Sequence, residues 1–251
     1  MRNRLLRPIG SSVLTSRWPP FLTTLHFNLD NEKITLPMKQ IEAVMNHLGN
    51  DIASLEMTRE LFGNNEYLRA FKKNIPRNVV FDVGSNRGFF VPLAAKLLKS
   101  KRIICIEPQE GLQPVRHAIA KANDIPLSSL KEYHKFCSSN DTYTTISINR
   151  IMRDNQIDQI DFMKMDIEGG EADIFSGNLE WLDRCKNITM EIHYALADVG
   201  FIPSLLRSRG FKCVLTDLRG RPISEENTRF LPRGCAYLYA SADRSLIGRI
   251  V

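Results

Sequence analysis

The sequence contains no CxxC pair, and its five cysteines, Cys105, Cys137, Cys185, Cys213 and Cys235, are scattered singly along 251 residues. An odd, dispersed set argues against a disulfide framework and against a zinc module, so they read as reduced, mostly core residues. No apolar run approaches the ~20 residues that would cross a bilayer. GxGxxG is absent, which removes the pyrophosphate fingerprint of a nicotinamide or flavin dinucleotide site. Acids are missing before Asp30, whereas Arg2, Arg4, Arg7 and Arg17 all precede it, so much of the formal charge of +6 belongs to the leader. No aromatic and basic residues interleave in a patch suited to gripping single strands, and nucleic acid is therefore not an expected partner.

What is present is an ordinary globular composition, 43% hydrophobic and 25% charged, in a chain long enough to bury a full core. Three stretches are expected. Residues 1–24 form a basic leader, either a poorly ordered arm or a segment for organellar targeting or membrane-surface association. Residues 25–77 make a hairpin, "HFNL" and "KITL" joined by Asp30 and Asn31, followed by helices over 38–48 and 58–73 that cover one end of a sheet. In the first of these helices Ile41, Val44, Met45 and Leu48 fall at helical spacing. The rest, 78–251, is the main domain. A cytoplasmic location is the leading expectation, and nothing in the sequence indicates an oligomeric state.

In that main domain short apolar runs alternate with helical patterns: "NVVFDVG" then 89–99, "RIICIEP" then "VRHAIAKAN", "IDFMKMDIEG" then "EADIFSG", and "NITMEIHY" then "GFIPSLLRSRG". Such alternation specifies an α/β fold, a doubly wound and mostly parallel sheet with helices on both faces. "FKCVLTD" and "GCAYLYAS" lack an intervening long helix and read as a terminal antiparallel pair.

The chemistry concentrates at the ends of these strands. The first strand runs into Asp82-Val83-Gly84-Ser85-Asn86-Arg87-Gly88, a D-x-G-x-x-x-G turn into a helix. Gly84 and Gly88 allow backbone angles and close approaches that a Cβ would block, and the helix start offers free N–H groups to an anionic group. The next strand ends in Glu107, an acid placed to accept hydrogen bonds from both hydroxyls of a ribose. Lys164, Asp166 and Glu168 alternate as in a strand, and so do Glu191 and His193. Lys164 and Asp166 are expected either to pair or to lie at the open end of the sheet, where ligands bind. His193 is of a residue type that can accept a proton from a hydroxyl, since its unperturbed pKa lies near neutrality. Glu171 reads as a first-turn acid favoured by the helix dipole. Carboxylates in number raise the question of an oxygen-liganded cation, but no spacing specifies one and none is expected.

"VVFDVGSNRGFF", "IICIEP", "DFMKMDIEGGEADIFSG" and "MEIHY" together resemble the FkbM family of S-adenosylmethionine-dependent methyltransferases, over about residues 79–211. The resemblance implies a seven-stranded, Rossmann-like class I methyltransferase sheet with an N-terminal extension. It also implies S-adenosylmethionine contacts through Asp82, Gly84, Asn86, Gly88 and Glu107, and O-methylation of a hydroxyl on a sugar, glycan or secondary metabolite. Asp166, Glu168 and His193 would then face the acceptor, with Lys164 and Glu168 binding it, Asp166 orienting its hydroxyl and His193 or Glu191 taking the proton. The chain departs from the family at Ile148 and Asn149, where a Leu-Asp pair is usual. The rival readings are a nicotinamide oxidoreductase, a noncatalytic nucleoside-binding module, and a nucleic-acid methyltransferase.

Overall fold

A computed structural model describes residues 24–48, 58, 61–62, 65–71, 77–231 and 234–243. The basic leader lies outside these residues except for Thr24. Strands β1 (Leu25–Leu29) and β2 (Glu32–Leu36) form the expected hairpin, with Leu29 opposite Glu32. Asp30 and Asn31 both have positive φ, 50° and 67°, so the turn twists with its strands. Helix α1 (Met38–Leu48) follows. The second expected helix is not continuous, because residues 66–70 are turns and Phe71 makes a β-bridge.

The central sheet has seven strands. They are β3 (Val79–Val83), β4 (Arg102–Ile106), β5 (Leu130–Tyr133), β8 (Phe162–Met165), β9 (Asn187–His193), β10 (Lys212–Thr216) and β11 (Cys235–Ser241). A separate small parallel pair is formed by β6 (Phe136–Cys137) and β7 (Thr145–Ile146). The sheet order is β10-β11-β9-β8-β3-β4-β5, with parallel pairing from β9 to β5 and with β11 antiparallel to both its neighbours. The inserted reversed strand is the antiparallel pair that the sequence pattern foretold. The chain starts in the middle, runs outward through β4 and β5, then returns to β8 on the other flank of β3. This reversal makes the carboxyl ends of β3 and β8 a topological switch point, where open α/β sheets bind ligands.

Helices α2 (Gln113–Ala122), α3 (Ile148–Asp154), α4 (Glu171–Ser176) and α5 (Ile202–Ser208) connect the strands. After β3 the expected α-helix is instead a short helical start that becomes a π-helix over Leu93–Leu97. Strand residues alternate strictly between two apolar clusters. Val80, Ile103, Cys105 and Phe162 join the hairpin, α1 and α2, whereas Phe81, Val83, Ile104, Ile106 and Met163 join α3, α4 and α5. Asp82, Lys164 and Glu191 occupy the first of these faces by the same alternation, and so lie beneath the N-terminal cover. None of the five cysteines forms a disulfide. Among the described residues no helix is long and apolar enough to cross a membrane.

Candidate active site

The loop after β3 is shaped by what its glycines exclude. Gly84 has φ +73°, and a Cβ there would overlap the Asp166 carbonyl oxygen and lie 2.8 Å from the Asp166 carbonyl carbon. Gly88 has φ +79°, and its Cβ would meet the Arg116 side chain at 2.5 Å. The sequence suggested that these glycines make room for a ligand. The room is instead taken by the protein itself, so their first role is to let the loop pack against the end of β8 and against α2.

Glu107 closes β4 and is 9% exposed. One carboxylate oxygen accepts the Asn86 amide at 2.9 Å and the other accepts the Gln109 amide at 3.0 Å. An ionised carboxylate has about four lone-pair sites, so further donors can still be accepted. The Asn86 carbonyl accepts from Arg116 at 2.7 Å, and Arg116 in turn donates to Glu132 at 2.6 Å. Within the loop the buried Ser85 Oγ and Asn86 Oδ1 have no hydrogen-bond partner. A cavity of about 340 Å³, lined by Pro108, His134, Phe136 and Tyr143, opens directly after Glu107.

Beneath the loop lies a buried charge pair. Asp82 is fully buried, and Lys164, 5% exposed, donates to the Gly84 carbonyl at 2.6 Å and stands 3.4 Å from the Asp82 carboxylate. Burial pushes the Asp82 carboxyl upward, partly offset by Lys164. The Lys164 ammonium is itself held above its usual range, because the charges of Asp82 and Asp166 outweigh the burial that would lower it. The expectation that Lys164 faces the acceptor is therefore corrected: its head is directed inward by Asp82 and tied to the loop backbone. Asp82 likewise acts behind the loop.

At the switch point Asp166 has a side chain 24% exposed, and its Oδ2 accepts the Tyr67 hydroxyl at 2.8 Å. Strand β8 ends at Met165, so the strand register expected for Glu168 is also corrected. Glu168 sits in the following turn with φ +53°, and its side chain is 79% exposed. The turn nevertheless brings it back to 3.4 Å from His193 Nε2. Glu191 and Asp166 stand 3.8 and 4.0 Å from the same nitrogen. The structure thus gathers Asp166, Glu168, Glu191 and His193 as expected, although by a turn and not by one strand register.

Glu171 and Tyr67 were not singled out as site residues by sequence reasoning. Glu171 is fully buried, and its Oε1 binds His193 Nδ1 at 2.8 Å, an arrangement that a first-turn acid does not announce. Burial alone would lower the His193 pKa, but the Glu171 hydrogen bond and the carboxylates of Glu171, Glu191 and Asp166 raise it to about 9. An imidazole held above its usual range by neighbouring carboxylates and 4% exposed is not the ready proton acceptor expected from its residue type. Tyr67 belongs to the cover, 99 positions from Asp166. Burial and the neighbouring Asp166 charge push its phenol well above the usual range, so it remains a donor.

Residues 121–213 match the methyltransferase FkbM domain. The match falls on the family that the sequence motifs resemble. The matched FkbM stretch contains Asp166, Glu168, Glu171, Glu191 and His193, while the Gly84 loop and Glu107 precede it. No curated protein matches the chain. Among solved structures, an rRNA methylase from Streptococcus thermophilus is 13% identical with a TM-score of 0.45, over 73% of this chain and 96% of that one. The METTL16 methyltransferase domain is 12% identical with a TM-score of 0.45, over 75% and 65%. A precorrin-6y C5,15-methyltransferase from Geobacter metallireducens is 14% identical with a TM-score of 0.40, over 67% and 81%.

Proposed function

We propose that this chain uses S-adenosylmethionine to methylate a hydroxyl of a sugar, glycan or other small molecule. The observation that carries the reading is the arrangement at the switch point, where the Gly84–Gly88 loop lies beside Glu107 and is tied to it by the Asn86 amide. Its polar groups fit the donor. Glu107 retains lone pairs for ribose hydroxyls, and the unpartnered Ser85 Oγ and Asn86 Oδ1 offer further polar contacts beside it. The cavity beyond Glu107, lined by Phe136, Tyr143 and His134, suits a flat base. When bound, the donor would supply a methyl group on a sulfonium, from which a neutral thioether departs as the leaving group.

The chain's own residues then have mainly to align the acceptor, since proximity and orientation supply much of such a barrier reduction. Asp166 is the group we assign to the acceptor hydroxyl. It stands at the end of β8 next to the loop, and Tyr67 holds its Oδ2 so that Oδ1 stays available. His193 lies deeper and is held through Nδ1 by Glu171. The dinucleotide rival fails on the glycine spacing, since the loop reads GxxxG.

The test is calorimetric titration of the purified chain with S-adenosylhomocysteine and, separately, with NAD. The reading expects saturable binding of the first only, lost in Glu107→Ala. Binding of NAD in its place, or neither ligand binding a folded protein, would overturn it.

A further inference from the structure

At the carboxyl ends of β8 and β9 three potential ligand atoms converge in a way that methyl transfer alone does not require. One ligand atom each from Asp166, Glu168 and His193 lies within 4.8 Å of the others. Two of them approach His193 Nε2 at 3.4 Å, from Glu168, and at 4.0 Å, from Asp166. His193 is 4% exposed, yet Nε2 makes no hydrogen bond to any of the carboxylates around it.

The ring's other nitrogen is built into the protein. Nδ1 meets Glu171 Oε1 at 2.8 Å, which orients the imidazole with Nε2 toward Asp166 and Glu168. A carboxylate behind the far nitrogen is the usual support of a metal-bound histidine, fixing its tautomer and raising its basicity. Glu171 is fully buried, and its Oε2 has no hydrogen-bond partner, so this carboxylate is committed to the ring through Oε1 alone. Formal charge favours a cation: among the described residues, the acids Asp82, Asp166, Glu168 and Glu171 have Lys164 and His193 as their cations at ion-pair distance.

We infer that Asp166, Glu168 and His193 bind a divalent transition-metal ion of the Mn²⁺ or Zn²⁺ class, with Glu171 as the positioning residue for the imidazole. An imidazole nitrogen disfavours Mg²⁺ and Ca²⁺, which take oxygen ligands, whereas Zn²⁺ accepts mixed nitrogen and carboxylate sets. Bonds of about 2.0–2.2 Å require these ligand atoms to stand about 3–3.5 Å apart. The Glu168 contact already meets that spacing, and the Asp166 carboxylate needs a small rotation. Three protein ligands leave coordination positions open. The ion's use in methyl transfer rests on the function proposed above, but its binding does not.

The experiment is calorimetry on the full chain, stripped with EDTA and dialysed, using MnCl₂, ZnCl₂ and MgCl₂ alone, with Mn²⁺ electron paramagnetic resonance as a second readout. One equivalent of Mn²⁺ or Zn²⁺ is expected, tighter than Mg²⁺. Glu168→Gln, at an exposed position that leaves the core intact, should weaken it at least tenfold, and Glu171→Gln by about 10–100-fold. No saturable Mn²⁺ or Zn²⁺ binding, or binding unchanged in both Glu168→Gln and Asp166→Asn, overturns the inference. S-adenosylhomocysteine titrated into the same EDTA-treated protein keeps the two readings apart. Donor binding without metal binding removes only the metal, and loss of both removes both.

Discussion

Replacing Gly84 by alanine separates backbone strain from steric exclusion. The new Cβ would overlap the Asp166 carbonyl oxygen and approach Ile167 Cγ2 to 3.2 Å, at a φ of +73°. Left-handed backbone costs a residue with a Cβ about 1–2 kcal/mol, and forcing an atom into packed surroundings adds about 1–3 kcal/mol, so about 2–5 kcal/mol in all. In a chain of this size each kcal/mol lowers the melting temperature by about 2–4 °C, which gives a fall of about 4–20 °C. Gly210→Ala is the control. It has φ +87° with nothing within 4 Å of its would-be Cβ. It should therefore show the strain cost alone, about 1–2 kcal/mol. Thermal melts followed by circular dichroism measure both variants, and S-adenosylhomocysteine titration reports whether the displaced loop still binds. Equal melting temperatures for the two variants, with donor affinity unchanged in Gly84→Ala, would refute the idea that the loop is seated on the end of β8 through this glycine.

The remaining predictions concern the groups around that loop. Tyr67→Phe should lower the rate of methyl transfer to an identified acceptor while leaving S-adenosylhomocysteine affinity unchanged, since Tyr67 touches Asp166 and not Glu107; an unchanged rate would remove it from the site. Glu132→Ala leaves Arg116, 1% exposed, without its carboxylate partner, and should cost about 3–5 kcal/mol in urea denaturation. Burial would raise the Glu132 pKa, but bonds from Arg116, Gln113 and His117 hold it below its ordinary 4.5. Its stabilising contribution is therefore complete above that value and is lost as pH falls through the lower folded value. Denaturation curves across this acid range should be flatter in Glu132→Gln, and an unaltered pH dependence would show that Glu132 is not the group responsible.

Much of the fold is legible in local pattern. The hairpin was readable because Asp30 and Asn31 supply the two positive-φ residues its turn needs. The parallel strands were readable because buried runs such as "VVFDV" and "RIICI" alternate with helical spacing. The second cover helix was misread, and the helix after β3 becomes a π-helix, since both depend on packing that periodicity does not encode. In the candidate site, Glu107 and Asp166 were legible as strand-end acids because acids that follow apolar runs stand out. Lys164 was expected near the acceptor because its inward turn depends on Asp82, a residue on another strand. Glu171 was hidden by a local explanation, the helix dipole, which fits its position without mentioning His193. Tyr67 carried no signal, because its partner lies 99 residues away.

The most direct measurement is a crystal structure of the chain with S-adenosylhomocysteine. It should show the ribose hydroxyls on the Glu107 carboxylate and the sulfur between the Gly84–Gly88 loop and Asp166. A ligand bound elsewhere, or a crevice that stays closed by the Asn86 and Gln109 amides on Glu107 at saturating ligand, would contradict the assignment of this strand end to a methyl donor.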